Sequence, residues 1–297
     1  MTPRLSLVIA SINGAEALAG CLASFVKQPL GEQIEIVVAE SSTGGEAAAV
    51  CSRYANVRHL HFDERKSIPE LRAIGLLHAG GPILAMTEDH CLAGTDWIQN
   101  VLAAHEGAAL AIGGAVENAA TQRLVDWAVY FCEYGRYMLP IESGPTNDLP
   151  GPNVSYKRAA LEIFRDLLAP ATWEPFWHWR LMERGVTLIN DPRLVIYHRK
   201  HFTVRGFLGE RYHYARSFAG RRVEGAAWSR RAFFTLGAPL LPPLLLARIA
   251  RRVLRKGRHR RELLMSLPYI SMFTLSWSFG ELIGYMRGPG NSLAQIE

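Results

Sequence analysis

The sequence predicts an α/β domain on a mostly parallel central sheet flanked by helices, followed by a basic, apolar helical tail. Three observations lead there. Short, nearly continuous apolar runs recur through the first half of the chain, separated by helical patterns of about ten residues, as strands buried on both faces require. These runs end in polar groups, and open α/β sheets bind ligands beyond the carboxyl ends of their strands. Charge is also unevenly spread. The 297 residues sum to +6, yet residues 201–262 hold fifteen Lys and Arg against three Glu, so the rest is net negative.

Taken in order, residues 5–11 (LSLVIAS) are the first strand, ended by Ile12, Asn13 and Gly14. Ala17, Leu18, Cys21, Leu22 and Phe25 then recur at helical spacing. Residues 34–40 (IEIVVAE) form the second strand, 56–62 (NVRHLHF) a weaker third and 82–88 (PILAMTE) the fourth. Helices over 45–54 and 68–78 fill the gaps. A helix over 96–107 and a strand over 108–116 extend the pattern. Hydrophobic content of 49% allows a sizeable core.

Several classes are excluded by what these segments lack. The turn after the first strand has no G-x-G-x-x-G, and the chain has neither a phosphate-loop G-x-x-x-x-G-K-[ST] nor a G-x-S-x-G elbow. Cys21, Cys51, Cys91 and Cys132 show no C-x-x-C spacing and read as small buried residues of a reduced, cytosolic protein. The N-terminal apolar run is too short for a signal peptide.

The strand ends carry the chemistry. Ser11 and Asn13 follow the first strand, Glu40 and Ser41 the second, and Glu88, Asp89 and His90 the fourth. Each alone suits a turn or a helix cap, but together on one sheet edge they make a site. Carboxylates offer hard oxygen ligands to Mg²⁺ or Mn²⁺, and an imidazole shifts the preference towards Mn²⁺.

Five segments, in order, resemble the family 2 glycosyltransferases. LSLVIASINGAEALAGCLASF resembles that family's opening strand, turn and helix, and IEIVVAESSTGG its second strand, where Glu40 replaces the usual base-recognising aspartate. SIPELRAIGLLHAGGPILAMTEDH resembles its arginine-bearing helix, with Arg72 and Gly75 in place, and the strand to the acidic metal motif. GPNVSYKRAAL resembles the acceptor-side segment containing Asn153. TWEPFWHWRLMERGVTLINDPRLVIYH resembles the stretch with the catalytic acid, which places Glu174 as the base, and a strand closing on His198.

The resemblance covers residues 4–220 and implies the GT-A nucleotide-diphospho-sugar transferase fold. It implies an inverting, non-processive transfer from a nucleotide-sugar donor, with a divalent cation as cofactor. Donor contacts are expected from Ala10, Ser11, Asn13, Glu40, Arg72, Glu88 and Asp89, acceptor contacts from Asn153, Trp173 and Trp177, and metal ligation from Asp89, His90 and His198. The family's motif has aspartates where Glu88 and His90 stand, so this chain departs from it twice. Trp173, Phe176, Trp177 and Trp179 flank Glu174, where aromatic rings either stack on sugars or pack in the core. Glu174 itself also suits a helix N-terminus followed by Pro175, and His198 a plain strand end. Where processive synthases carry Q-x-x-R-W, this chain reads His213, Arg216 and Ser217, which favours single-sugar transfer.

Residues 1–222 are expected to form the transferase domain and 223–297 the tail. Residues 263–286 approach bilayer length despite Glu281. Residues 232–247 contain Pro239, Pro242 and Pro243, against a straight span. The basic linker between them should stay cytoplasmic. Interfacial or re-entrant helices on the cytoplasmic face of a bacterial inner membrane follow, held by anionic lipid, with a lipid-linked or surface-glycan acceptor. A soluble helical pair is the alternative for the tail. A catalytically degenerate protein binding nucleotide or glycan is the alternative for the whole. A nucleic-acid partner does not fit arginines set between apolar segments, and the oligomeric state is not encoded in any motif.

Overall fold

A computed structural model describes residues 3–41, 45–169 and 171–296; residues 42–44 of the second motif lie outside them. In chain order the elements are β1 (Leu5–Ser11), α1 (Ala15–Val26), β2 (Glu35–Glu40), α2 (Glu46–Cys51), β3 (Val57–His61), α3 (Ile68–His78), β4 (Ile83–Glu88), β5 (Cys91–Ala93), α4 (Trp97–Ala104), β6 (Ala111–Asn118), α5 (Leu124–Glu133), β7 (Gly144–Thr146), β8 (Val154–Lys157), α6 (Arg158–Phe164), α7 (Glu174–Glu183), β9 (Leu188–His198), α8 (Val204–Arg222), α9 (Trp228–Gly237), α10 (Leu241–Lys256) and α11 (Arg260–Arg287). They form two compact units, one of residues up to 117 with 137–199, the other of 118–136 with residues from 200 onward. Helix α8, just before the expected boundary at 222, belongs to the second unit.

The first unit is a mixed α/β unit on a nine-stranded sheet in the order β3-β2-β1-β4-β8-β6-β9-β5, with β7 on β9. β3, β2, β1 and β4 are parallel, with Ser11 opposite Glu40, Ala10 opposite Glu88 and Glu40 opposite His61. That register lines the polar strand ends along one edge. Beyond β4 the sheet turns antiparallel, β8 pairing with β4 and with β6. The strand expected over 108–116 is β6, which runs in the direction of the parallel strands but is separated from β4 by the antiparallel β8, so both of its neighbour's pairings are antiparallel. Apolar content reports burial on both faces, not how strands pair.

Two local features fix α3 against this sheet. Ser67 and Glu70 form a capping box, the Ser67 backbone N–H donating to Glu70 Oε2 at 2.8 Å and the Ser67 hydroxyl at 2.7 Å. Gly75 lets the helix touch β1, because a Cβ there would lie 2.3 Å from Val8 Cγ1. The core beneath holds Val8, Val37, Leu84, Met86, Tyr156, Phe164 and Trp177, with the Phe164 and Trp177 rings stacked at 5.2 Å.

The second unit is helical. α11 packs on α8 through Gly280 and Gly284, where a Cβ would meet the Tyr212 and Arg216 carbonyl oxygens at 2.3 and 2.5 Å. Phe207 meets Phe273 edge-on at 4.6 Å, and the Arg211 guanidinium lies 3.9 Å over the Trp277 ring. This corrects the reading of residues 263–286 as the bilayer-length segment. One face of α11 is buried protein core, including Leu263, Ile270, Phe273 and Tyr285. Its Glu281 accepts from Trp277 Nε1 and the Tyr285 hydroxyl, both at 2.6 Å.

The other apolar segment is helical as well. Trp228–Lys256 is one run long and apolar enough to cross a membrane, and most of it is outside the protein interior. Its prolines do not break it. They fall in a 3-10 turn at Ala238–Leu240 and in the first turn of α10, where a missing N–H leaves no bond unmade.

Candidate active site

Asp89 is the keystone of the β1 edge. Its Oδ2 accepts from Ser11 Oγ at 2.9 Å and from the Ile12 and Asn13 backbone N–H groups at 2.9 and 2.8 Å, and its Oδ1 accepts from Asn13 Nδ2 at 2.7 Å. The Ala10 carbonyl accepts from the Asp89 backbone N–H at 3.3 Å. Burial raises the Asp89 pKa, but the bonds from His90 and Asn13 outweigh it and the net shift is downward. The carboxylate thus clamps the turn after β1. Its oxygens are spent there, so of the three residues expected to ligate metal it is placed behind the other two.

His90 and His198 face each other with their Nε2 atoms 2.9 Å apart, and Glu88 Oε2 lies 3.0 Å from His90 Nε2. β5 and β9 create this meeting by pairing Cys91 with His198. The other His90 nitrogen, Nδ1, is 3.2 Å from Asp89 Oδ1, which sets the ring with Nε2 towards His198 and Glu88. Burial lowers the His90 pKa, but bonding to Asp89 and Glu88 prevails and carries it to about 9. Glu88 Oε2 and His198 Nε2 thus each lie within hydrogen-bonding range of His90 Nε2, and Glu88, His90 and Cys91 each offer a ligand atom within 4.8 Å of the others, donors that fit a borderline divalent cation.

Arg72 ties this group to Glu174. One guanidinium nitrogen donates to Glu88 Oε1 and another to Glu174 Oε1. Arg72 is 2% exposed and Glu174 4%. Burial raises the Glu88 pKa, but Arg72 and His90 together hold it well below the usual carboxylate range. Glu174 opens α7 with Pro175 behind it. Gly151 makes the approach possible: a Cβ there would lie 2.9 Å from Arg72 Nη1 and 3.0 Å from Glu174 Oε2.

The acceptor-side expectations fare differently. Asn153 is wholly buried, accepting from Trp97 Nε1 at 2.9 Å and donating to the Ala115 and Leu194 carbonyls at 2.8 and 2.9 Å. It staples α4, β6 and β9 together, and both N–H donors of its amide are used in doing so. Trp177 is also core, donating to Thr172 Oγ1 at 2.9 Å. Trp173, the residue before Glu174, is buried. Glu40 ends β2 buried, its Oε2 shared by His59 Nε2 at 3.1 Å and His61 Nδ1 at 2.7 Å.

His59, His61 and Gly151 were missed in the sequence. The first two had a signal, alternate positions on one strand, but the third strand is the weakest of the apolar runs.

A family model described as glycosyl transferase family 2 matches residues 6–164, which leaves Glu174 outside the matched stretch. No curated protein matches by sequence. Among solved structures, a mannosyltransferase from Pyrobaculum calidifontis in complex with GDP-mannose and Mn²⁺ is 18% identical, with a TM-score of 0.57 over 93% of this chain and 87% of that one. TarS from S. aureus is 15% identical, with a TM-score of 0.52 over 96% and 92%. GalNAc-T7 with UDP, GalNAc and Mn²⁺ is 16% identical, with a TM-score of 0.51 over 67% of this chain and 43% of that one. These likenesses share the fold.

Proposed function

The chain belongs to glycosyl transferase family 2 and is a GT-A glycosyltransferase using nucleotide-sugar donors; from that premise we propose an inverting, non-processive transfer with Glu174 as the base. The observation that carries it is the buried bridge of Glu174, Arg72 and Glu88, which sets the only carboxylate of α7's first turn beside the acidic motif. In the proposed step Glu174 takes the proton of the acceptor hydroxyl. The acceptor oxygen then bonds the anomeric carbon, and the nucleoside diphosphate departs from the opposite face with the bonding pair.

Arg72 orients the base by a two-point hold, and Asp89 keeps the turn after β1 in place for the nucleotide. Glu40 is the proposed partner of the nucleotide base. Glu88, His90 and His198 would hold the divalent cation, with Mn²⁺ at least equal to Mg²⁺ because two donors are imidazoles. When bound, that ion would neutralise charge on the leaving diphosphate.

The acceptor is proposed to be lipid-linked or a surface glycan. The support is the exposed apolar run of α9 and α10, with Trp228 81% and Leu236 80% exposed, among basic residues suited to an anionic cytoplasmic leaflet. The test is hydrolysis and transfer with UDP-, GDP- and dTDP-sugars under Mn²⁺, Mg²⁺ or EDTA, with lipid added. Turnover of one donor that needs a cation supports the reading. Nucleotide binding without turnover in every lipid condition would replace it with the binding-protein alternative.

A further inference from the structure

The far end of the parallel edge carries a second group of metal-binding type. β3 places His59 and His61 two residues apart, so both side chains leave the same face of the strand. β2 sets Glu40 directly opposite His61. Glu40 Oε2, His59 Nε2 and His61 Nδ1 all lie within 4.8 Å of one another. None of them belongs to the group around His90.

We propose that Glu40, His59 and His61 form a second divalent site of the Zn²⁺ class, with an open position for water or a ligand. Two imidazoles and one carboxylate are the composition of a three-ligand zinc site. The spacing is close to what such a site requires. Zn–N and Zn–O bonds of about 2.0–2.1 Å put tetrahedral ligand atoms about 3.3 Å apart. Glu40 Oε2 is now 3.1 and 2.7 Å from the two nitrogens and all three atoms lie within 4.8 Å of one another, so seating an ion needs side-chain adjustment with no change of strand pairing.

A second observation points the same way. The nitrogen of His61 turned from Glu40, Nε2, lies 3.2 Å from Asp63 Oδ1. A carboxylate on the outward nitrogen fixes tautomer and ring orientation in zinc-bound imidazoles. The His61 side chain is 40% exposed, so an ion can enter and leave. Occupation would also engage Glu40, the residue proposed for the nucleotide base. Zn²⁺ should then weaken donor binding; that consequence rests on the proposed transfer function, whereas the metal site does not.

The test is titration of the chelator-treated full chain with Co²⁺, read by its visible absorption. A His90→Ala, His198→Ala double variant isolates the proposed site and should still bind one equivalent. Adding His59→Ala or His61→Ala should weaken that binding at least about 10-fold with an unchanged circular dichroism spectrum. His61→Cys should restore binding and add a sulfur-to-cobalt charge-transfer band, a result that a folding defect cannot mimic. Co²⁺ affinity indifferent to His59 and His61, or no bound equivalent in the His90, His198 double variant, would overturn the proposal. Nucleotide affinity with and without Zn²⁺ tests the consequence separately.

Discussion

Arg72 is the residue on which the site depends, because it pairs the buried Glu174 with the part-buried Glu88, far apart in sequence. Removing a partner from a buried ion pair leaves uncompensated charge and costs about 3–5 kcal/mol. Arg72→Gln should therefore lower the unfolding free energy by that order in a urea titration; a loss under about 1 kcal/mol would show that the carboxylates need no counter-charge. His105 offers a test independent of the site. It bonds Ser155 Oγ at 2.8 Å, and burial, with Lys157 nearby, depresses its pKa to about 4. The folded state thus holds it neutral, while the unfolded chain protonates it below about pH 6.5. Between pH 6.5 and 4 the unfolded state binds more protons, so stability falls as the pH falls, by about 3 kcal/mol in all. His105→Gln should flatten that acid slope. At this scale the sequence exposed the acidic motif, because it sits at a strand end. It did not expose the Arg72 bridge or the Glu40 cluster, which exist only once α3, α7 and the first three strands are docked.

At the scale of elements, the glycines of α11 decide how it packs. Gly280→Val would drive a side chain into the Tyr212 carbonyl and should cost about 1–3 kcal/mol by overpacking. Gly237→Val, with open space around it, should stay within about 0.5 kcal/mol; equal shifts for the two would refute the close α8–α11 contact. Three of the four parallel strands and α3 were legible because their apolar runs are strong local signals, and the third strand less so because its run is broken by Arg58, His59 and His61. α11 was misread because burial against α8 and burial in lipid demand similar composition. The proline-bearing segment was misread because prolines at a helix start look, in sequence alone, like breaks.

For the whole molecule, the two readings of charge and apolar exposure converge on a surface. Arg251 and Arg255 are exposed on α10, and each basic residue near anionic lipid contributes about 1 kcal/mol. Arg251→Glu with Arg255→Glu should weaken binding to phosphatidylglycerol vesicles by at least about 30-fold; unchanged partitioning would leave the exposed helices without an electrostatic role. The parallel half of the sheet could be read from the chain, but the antiparallel half and the return of residues 118–136 to the second unit could not. Those depend on pairings that short strands do not encode locally. The most direct test of the account is the transfer rate of Glu174→Gln at saturating donor and acceptor, beside its donor Kd. The predicted result is a fall of about 10²–10⁴ in rate with donor affinity held within about threefold. A variant that transfers sugar at the parent rate would contradict the assignment of Glu174 as the base.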